Sequence, residues 1–102
     1  MDRVAMLAEI LSQNPNDAFA RYGLALEYSN LGNVERALDE FGKLLAVHPD
    51  YTAGYLMAAQ VLTRARRVEE ARTMLTDGIS SATRTGNAHA RSEMEAMLTE
   101  LA

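Results

Sequence analysis

Apolar residues recur along this chain at spacings of three and four, the spacing that places them on one side of an α-helix. Short polar or turn-forming segments divide the pattern into six stretches. The predicted helices cover residues 2–12, 18–30 and 34–48, and three more begin at about residues 52, 68 and 88. The apolar content is mostly Ala, Leu and Met, which favour helices, and β-branched runs are few. The pattern therefore predicts an all-α protein.

Residues suited to helix ends stand between these stretches. Asp17, Asn33 and Asn87 each precede a predicted helix and can accept a hydrogen bond from its first turn. Gly32 suits the left-handed position that follows a helix C-terminus. Pro49 disfavours helix at the residue before it and so ends the third stretch. These signals predict short turns rather than long linkers between the helices.

Several residues recur at intervals of 34 positions along the chain. The repeated residues are Ala25 and Ala59, Ala37 and Ala71, Val34-Glu35 and Val68-Glu69, and Pro15 and Pro49. A period of 34 is too long for a coiled-coil heptad and too short for a domain. It is typical of a supersecondary unit that buries its apolar face only by stacking on neighbouring units.

The first complete unit has a specific signature. Its residues are Leu24, Ala25, Tyr28, Gly32, Ala37, Phe41 and Pro49. This spacing resembles the tetratricopeptide repeat (TPR), a pair of antiparallel helices. The resemblance implies a right-handed α-α superhelix of about six antiparallel helices. It divides one domain into a half repeat (1–17), two repeats (18–51 and 52–85) and a C-terminal capping helix (86–102).

The second repeat departs from the first at its turn and at its end. Arg66 replaces Gly32, so a retained left-handed turn would strain Arg66 by about 1 kcal/mol or more. The alternative is a rearranged turn. Thr83 occupies the family's proline position, which predicts a fifth helix about one turn longer than the third. Gly78 is expected to permit close helix packing, as the repeated alanines do.

Composition and charge exclude several classes of function. The chain has no cysteine, which excludes disulfides and Cys-bound zinc, and no glycine-rich phosphate loop or zinc-protease motif occurs. The net charge of −4 argues against general affinity for nucleic acid. No apolar run approaches the roughly 20 residues that a membrane span requires. We therefore predict a cytoplasmic protein without a cofactor, a metal or an enzymatic site.

The two histidines do not change this prediction. His48 lies at the end of the third predicted helix, where an imidazole interacts well with the helix dipole. His48 and Asp50 could share a metal, but two ligands at a turn are a weak signal. His89 lies early in the last predicted helix.

The resemblance implies a binding surface. In TPR proteins the first helices of successive repeats line a concave groove that receives a peptide or a helix. The candidate contact residues in that register are Phe19, Tyr22, Leu26, Asn30, Leu56, Gln60 and Arg64. The lysines and asparagines by which some TPR domains hold a chaperone tail are mostly absent. Alternatively, the terminal helices of this chain cover these residues.

A second hypothesis is self-assembly. The first helix begins the chain without a preceding helix, so its stripe of Val4, Leu7 and Leu11 is expected to be partly unpartnered. Met6 and Ile10 widen its apolar sector. A homodimer through this helix or through the groove would bury that surface.

Overall fold

The computed structural model describes residues 2–101, which form six α-helices joined by short turns. The helices are α1 (Arg3–Gln13), α2 (Ala18–Asn30), α3 (Val34–Val47), α4 (Thr52–Arg64), α5 (Val68–Thr85) and α6 (Ala88–Glu100). Within that range there is no β-strand. The predicted all-α architecture is confirmed. The predicted units 1–17 and 86–102 extend to Met1 and Ala102, which lie outside the described residues, and the division into repeats stays a prediction.

Four helices begin with a side-chain cap, three of them at the positions named from the sequence and the fourth at Asp2. Asp2, Asp17, Asn33 and Asn87 each accept a hydrogen bond from the backbone N–H three residues later, at 2.8 to 3.2 Å. Each bond satisfies a donor that the first turn of a helix otherwise leaves unpaired. Helices α4 and α5 begin without such a bond.

The turn after α2 recurs after α4. Gly32 has φ +78° and Arg66 has φ +63°, so both adopt the left-handed conformation. The hydrogen bonds also match, since Asn33 N–H donates to the Tyr28 carbonyl and Arg67 N–H to the Leu62 carbonyl, both at 2.9 Å. The left-handed turn is therefore retained at Arg66, with the strain expected for a side chain there.

Small residues allow the helices to approach closely. Ala25, Ala37, Ala59 and Ala71 are completely buried. A Cβ atom added at Gly78 would lie 2.5 Å from the Met94 sulfur and 2.6 Å from the Tyr55 Cβ. The structure thus confirms the close packing expected at these positions.

Helix α5 is longer than α3, as the absence of a proline at Thr83 predicts. It has 18 residues and α3 has 14. The Arg84 side chain, in the last turn of α5, donates to the Asp50 carboxylate at 2.8 and 3.0 Å and so ties α5 to the turn after α3. The hydroxyls of Thr52 and Ser81 form a buried hydrogen bond between α4 and α5.

The packing of α1 differs from the expectation for its apolar stripe. Leu7 and Leu11 are buried, and with the half-buried Val4 they form a cluster with α2. This stripe therefore packs against the helix that follows it. The exposed apolar residues are Met6 and Ile10, which retain 53% and 45% of their accessible surface.

Candidate functional site

The candidate residues of α2 form one stripe along that helix. Phe19, Tyr22, Leu26 and Asn30 are spaced by three or four residues and share a side. Phe19 is 78% exposed, and Asn30 is exposed at the C-terminal end. Tyr22 and Leu26 are half-buried because they pack against the core between α2, α3 and α4. The stripe therefore combines accessible apolar surface with a terminal amide.

The candidate residues of α4 form a second stripe. Leu56, Gln60 and Arg64 are spaced by four, with Leu56 and Gln60 half-buried and Arg64 exposed. The Arg64 guanidinium donates to the Ser29 hydroxyl at 3.2 Å. This hydrogen bond joins the C-terminal ends of α2 and α4 on the side that carries the candidate residues. We call the seven candidate residues together the α2–α4 face.

Two aromatic rings pack against Tyr22. The centroid of the Tyr22 ring lies 5.2 Å from that of Tyr51 and 6.4 Å from that of Phe41. Burial, and to a smaller extent the neighbouring Tyr51, raises the pKa of the Tyr22 hydroxyl above its ordinary value. The sequence reasoning missed Tyr51, which precedes α4 in a turn. An aromatic residue directly before a helix was the available signal.

The terminal helices do not lie across α2 on this side. Within residues 2–101, α6 packs on α5 and α4, and none of its Cα atoms comes within 8 Å of α2. Helix α1 packs beside Ala20 and Leu24, on a different side of α2 from Tyr22 and Leu26. This packing agrees with the exposure of Phe19 and Asn30, whereas Leu56 of α4 packs against the buried cluster that includes Met94 of α6.

The polar groups elsewhere hold the fold together. The Arg21 guanidinium lies 2.6 Å from the Glu40 carboxylate, with both side chains largely buried, and donates to the Pro15 carbonyl at 2.9 Å. The His48 ring lies at the end of α3 and hydrogen-bonds the Asn16 carbonyl at 2.8 Å, where Nε2–H is the donor. Both contacts fasten the turn between α1 and α2 to α3. They give His48 a structural role.

Metal sites and membrane-spanning helices are both absent from the part of the chain that the structure describes. Within residues 2–101, no three imidazole or carboxylate groups converge as a metal site would require. No helix there is both long and apolar enough to cross a membrane.

Known proteins share both the sequence pattern and the fold. Residues 30–92 match the family model described as tetratricopeptide repeat. The chain is 27% identical to the TPR repeat-containing protein PA0015 of Pseudomonas aeruginosa over 95 residues, which span 93% of this chain and 90% of that protein. The solution structure of a tetratricopeptide repeat domain protein from Salinibacter ruber is 31% identical, with a TM-score of 0.80 over 86% of this chain and 89% of the other.

A more distant structure has the same fold. The TPR2B domain of yeast Sti1, solved in a complex with pHsp70, has a TM-score of 0.88 and 16% identity over 96% of this chain and 78% of that one. At this identity the likeness concerns the fold alone. The resemblance read from Leu24, Tyr28, Ala37 and Phe41 is confirmed by the family match and by the closer relatives.

Proposed function

Because the chain belongs to the tetratricopeptide repeat family, we propose that it is a non-catalytic protein-interaction module whose α2–α4 face binds a peptide or helix of a partner protein. The observation that carries this proposal is the pair of adjacent stripes, one on each helix, connected by the hydrogen bond from Arg64 to Ser29. Together the stripes offer apolar surface along their length and polar groups at one end.

The residues divide into two roles. Phe19, Tyr22, Leu26 and Leu56 supply area for an apolar side chain of the partner, and aromatic anchors of this kind dominate many interfaces. Asn30, Gln60 and Arg64 orient the partner, since amides pair with a peptide backbone and a guanidinium pairs with a carboxylate. The aromatic support under Tyr22 holds its ring in place, so little side-chain entropy is lost on binding.

The comparison with yeast Sti1 supports binding of a protein partner. Its TPR2B domain was solved as a complex with pHsp70, and the two folds superpose closely. In our chain the α2–α4 face carries a single cationic residue, Arg64. A partner with one carboxylate beside apolar side chains fits this face better than a tail with several acidic groups.

The double variant Tyr22→Ala/Arg64→Glu tests this function. We expect it to lose at least tenfold in affinity for a partner captured with the unmodified protein, since truncation of one anchor costs about 2 kcal/mol. Isothermal titration measures the affinity, and circular dichroism should show unchanged helical content. Arg91→Glu, on the exposed side of α6, is the matched charge control and should bind normally. Equal affinities for both variants would disprove the assignment of the face.

Self-assembly through α1 is a second candidate, favoured by the exposure of Met6 and Ile10. Their equivalents 34 residues later are Glu40 and Leu44, which are 8% and 1% exposed because α2 and α4 pack around them. The α1 residues thus occupy positions that another helix covers in α3. A second copy of the chain would bury them.

Light scattering after size exclusion, over about a hundredfold range of protein concentration, tests this candidate because dimerisation follows mass action. If α1 mediates a homodimer, the molar mass should rise with concentration. Ile10→Glu should keep the protein monomeric, because a charge would then lie in the apolar contact. The mass of the monomer at every concentration would rule out the dimer and leave the adaptor function.

A further inference from the structure

A second depression lies on the other side of the molecule from the α2–α4 face, between α3 and α5. Its volume is about 330 Å³, and we call it the convex cleft. Its lining residues are Leu38, Leu62, Arg67, Glu70, Thr73, Met74 and Asp77. Within residues 2–101 no Cα atom of α3 lies within 8 Å of one in α5, and the cleft lies in the gap between the two helix backbones. Helix α4 lies beneath and contributes Leu62 as the floor.

The middle of the convex cleft is apolar. Leu38 of α3 and Met74 of α5 are half-buried and leave part of their side chains open to the cleft, while Leu62 is 2% exposed. An unbranched aliphatic chain fits such a surface. The methylene stems of lysine and arginine pack against apolar surface in this way while the charged group remains at the edge.

The charges at the two ends of the convex cleft differ. At one end Arg67 pairs with Glu35 of α3 and donates to Glu70 at 2.8 and 3.1 Å. This cation is already neutralised by two carboxylates. At the other end Asp77 is exposed and forms no ion pair with any residue between 2 and 101. The rim of the cleft therefore carries excess negative charge, and the exposed Asp77 carboxylate can pair with a cationic group of a ligand.

Gly42 lies within α3 one turn after Leu38, on the same side of the helix but outside the residues that line the convex cleft. A Cβ atom added here would meet nothing within 4 Å, so the packing of the fold does not require glycine. Because glycine destabilises a helix interior relative to alanine, this position offers a control substitution beside the cleft.

We propose that the convex cleft docks a basic segment of a partner protein, in which an arginine or lysine lays its aliphatic stem across Leu38 and Met74 and pairs its cationic group with Asp77. The net charge of −4 favours the approach of such a segment. Since this surface shares no residue with the α2–α4 face, a partner could occupy both sides, and failure of one site leaves the other intact.

The probe is the blocked peptide acetyl-Gly-Leu-Arg-Leu-Gly-amide, titrated into the ¹⁵N-labelled protein while amide chemical shifts are recorded. We expect saturable shifts confined to residues 35–42 and 70–77, with a Kd of about 1 mM, as one exposed ion pair and a short apolar contact would give. The matched peptide with citrulline in place of arginine has the same shape without the charge and should bind about two- to fivefold more weakly. Shifts confined to the α2–α4 face, or equal binding of both peptides, would overturn the proposal.

Two variants test the residues named. Asp77→Asn should raise the Kd about two- to fivefold, the range expected for loss of an exposed ion pair. Gly42→Ala is the control: it should raise the melting temperature through the helix preference for alanine and leave the affinity unchanged, because Gly42 does not line the convex cleft. Unchanged affinity in Asp77→Asn would show that the peptide binds elsewhere.

Discussion

At the scale of single residues, the turns at Gly32 and Arg66 place two very different residues in one backbone conformation. Both have positive φ, and the hydrogen bonds around them correspond. Glycine adopts this conformation without a steric penalty, whereas a side chain brings Cβ close to the backbone. Within residues 2–101 the Arg66 side chain forms no hydrogen bond or ion pair that would offset the strain. Nothing in the structure explains the choice of arginine here.

Replacing this arginine should therefore stabilise the protein. We expect Arg66→Gly to raise the free energy of unfolding by about 1 kcal/mol, because it relieves the left-handed strain. Chemical denaturation followed by circular dichroism measures the change. The control is Gly32→Ala, which introduces a Cβ atom at the equivalent position and should lower stability by about the same amount. If Arg66→Gly were destabilising, Arg66 would have to make a favourable contact that outweighs the strain.

At the scale of helices, side-chain size at the crossing points decides how closely α4, α5 and α6 pack. Gly78 of α5 lies where Tyr55 of α4 and Met94 of α6 converge, and both neighbours are buried. Gly42 of α3 faces open space. Packing thus requires glycine at position 78 but not at position 42, and the two positions should respond oppositely to substitution.

Gly78→Ala should destabilise the protein by about 1–3 kcal/mol, since the new methyl group would overlap Met94 and Tyr55. Gly42→Ala should stabilise it by about 0.5–1 kcal/mol through the helix preference for alanine. Thermal unfolding of both variants beside the unmodified protein gives the comparison. A stabilising Gly78→Ala would mean that α6 packs less tightly on α5 than described.

At the scale of the whole molecule, each helix packs mainly on its neighbours in sequence. Within residues 2–101, α1 contacts α2 alone, and α6 contacts α5 and α4. In repeat proteins with such contacts, stability is close to a sum of local and nearest-neighbour terms. A destabilising substitution in a terminal helix should therefore lower the local stability of that end of the molecule more than that of the other end.

Met94→Ala tests this expectation. Met94 is completely buried between α4, α5 and α6, so its truncation should cost about 2–5 kcal/mol through the cavity that it leaves. Amide hydrogen exchange should show the greatest loss of protection in α5 and α6 and the least in α1. Equal loss of protection in every helix would instead show that the six helices open as one cooperative unit.

The sequence alone could predict much of the fold because the relevant signals are local or strictly periodic. The caps at Asp17, Asn33 and Asn87 act on residues three positions away, and the turn at Gly32 depends on its immediate neighbours. The 34-residue period then places each helix relative to the next. The two stripes of the candidate site follow from the same register, although binding at them remains a proposal.

Tertiary structure decided what depends on distant residues. Three features have no local sequence signal: the pairing of Arg21 with Glu40, 19 residues apart, the packing of the Tyr51 ring against Tyr22, and the convex cleft between α3 and α5. The same holds for α1, where packing on α2 buried Leu7 and left Ile10 exposed. A helical pattern fixes which residues share a side, but which side is covered depends on how closely the other helices approach.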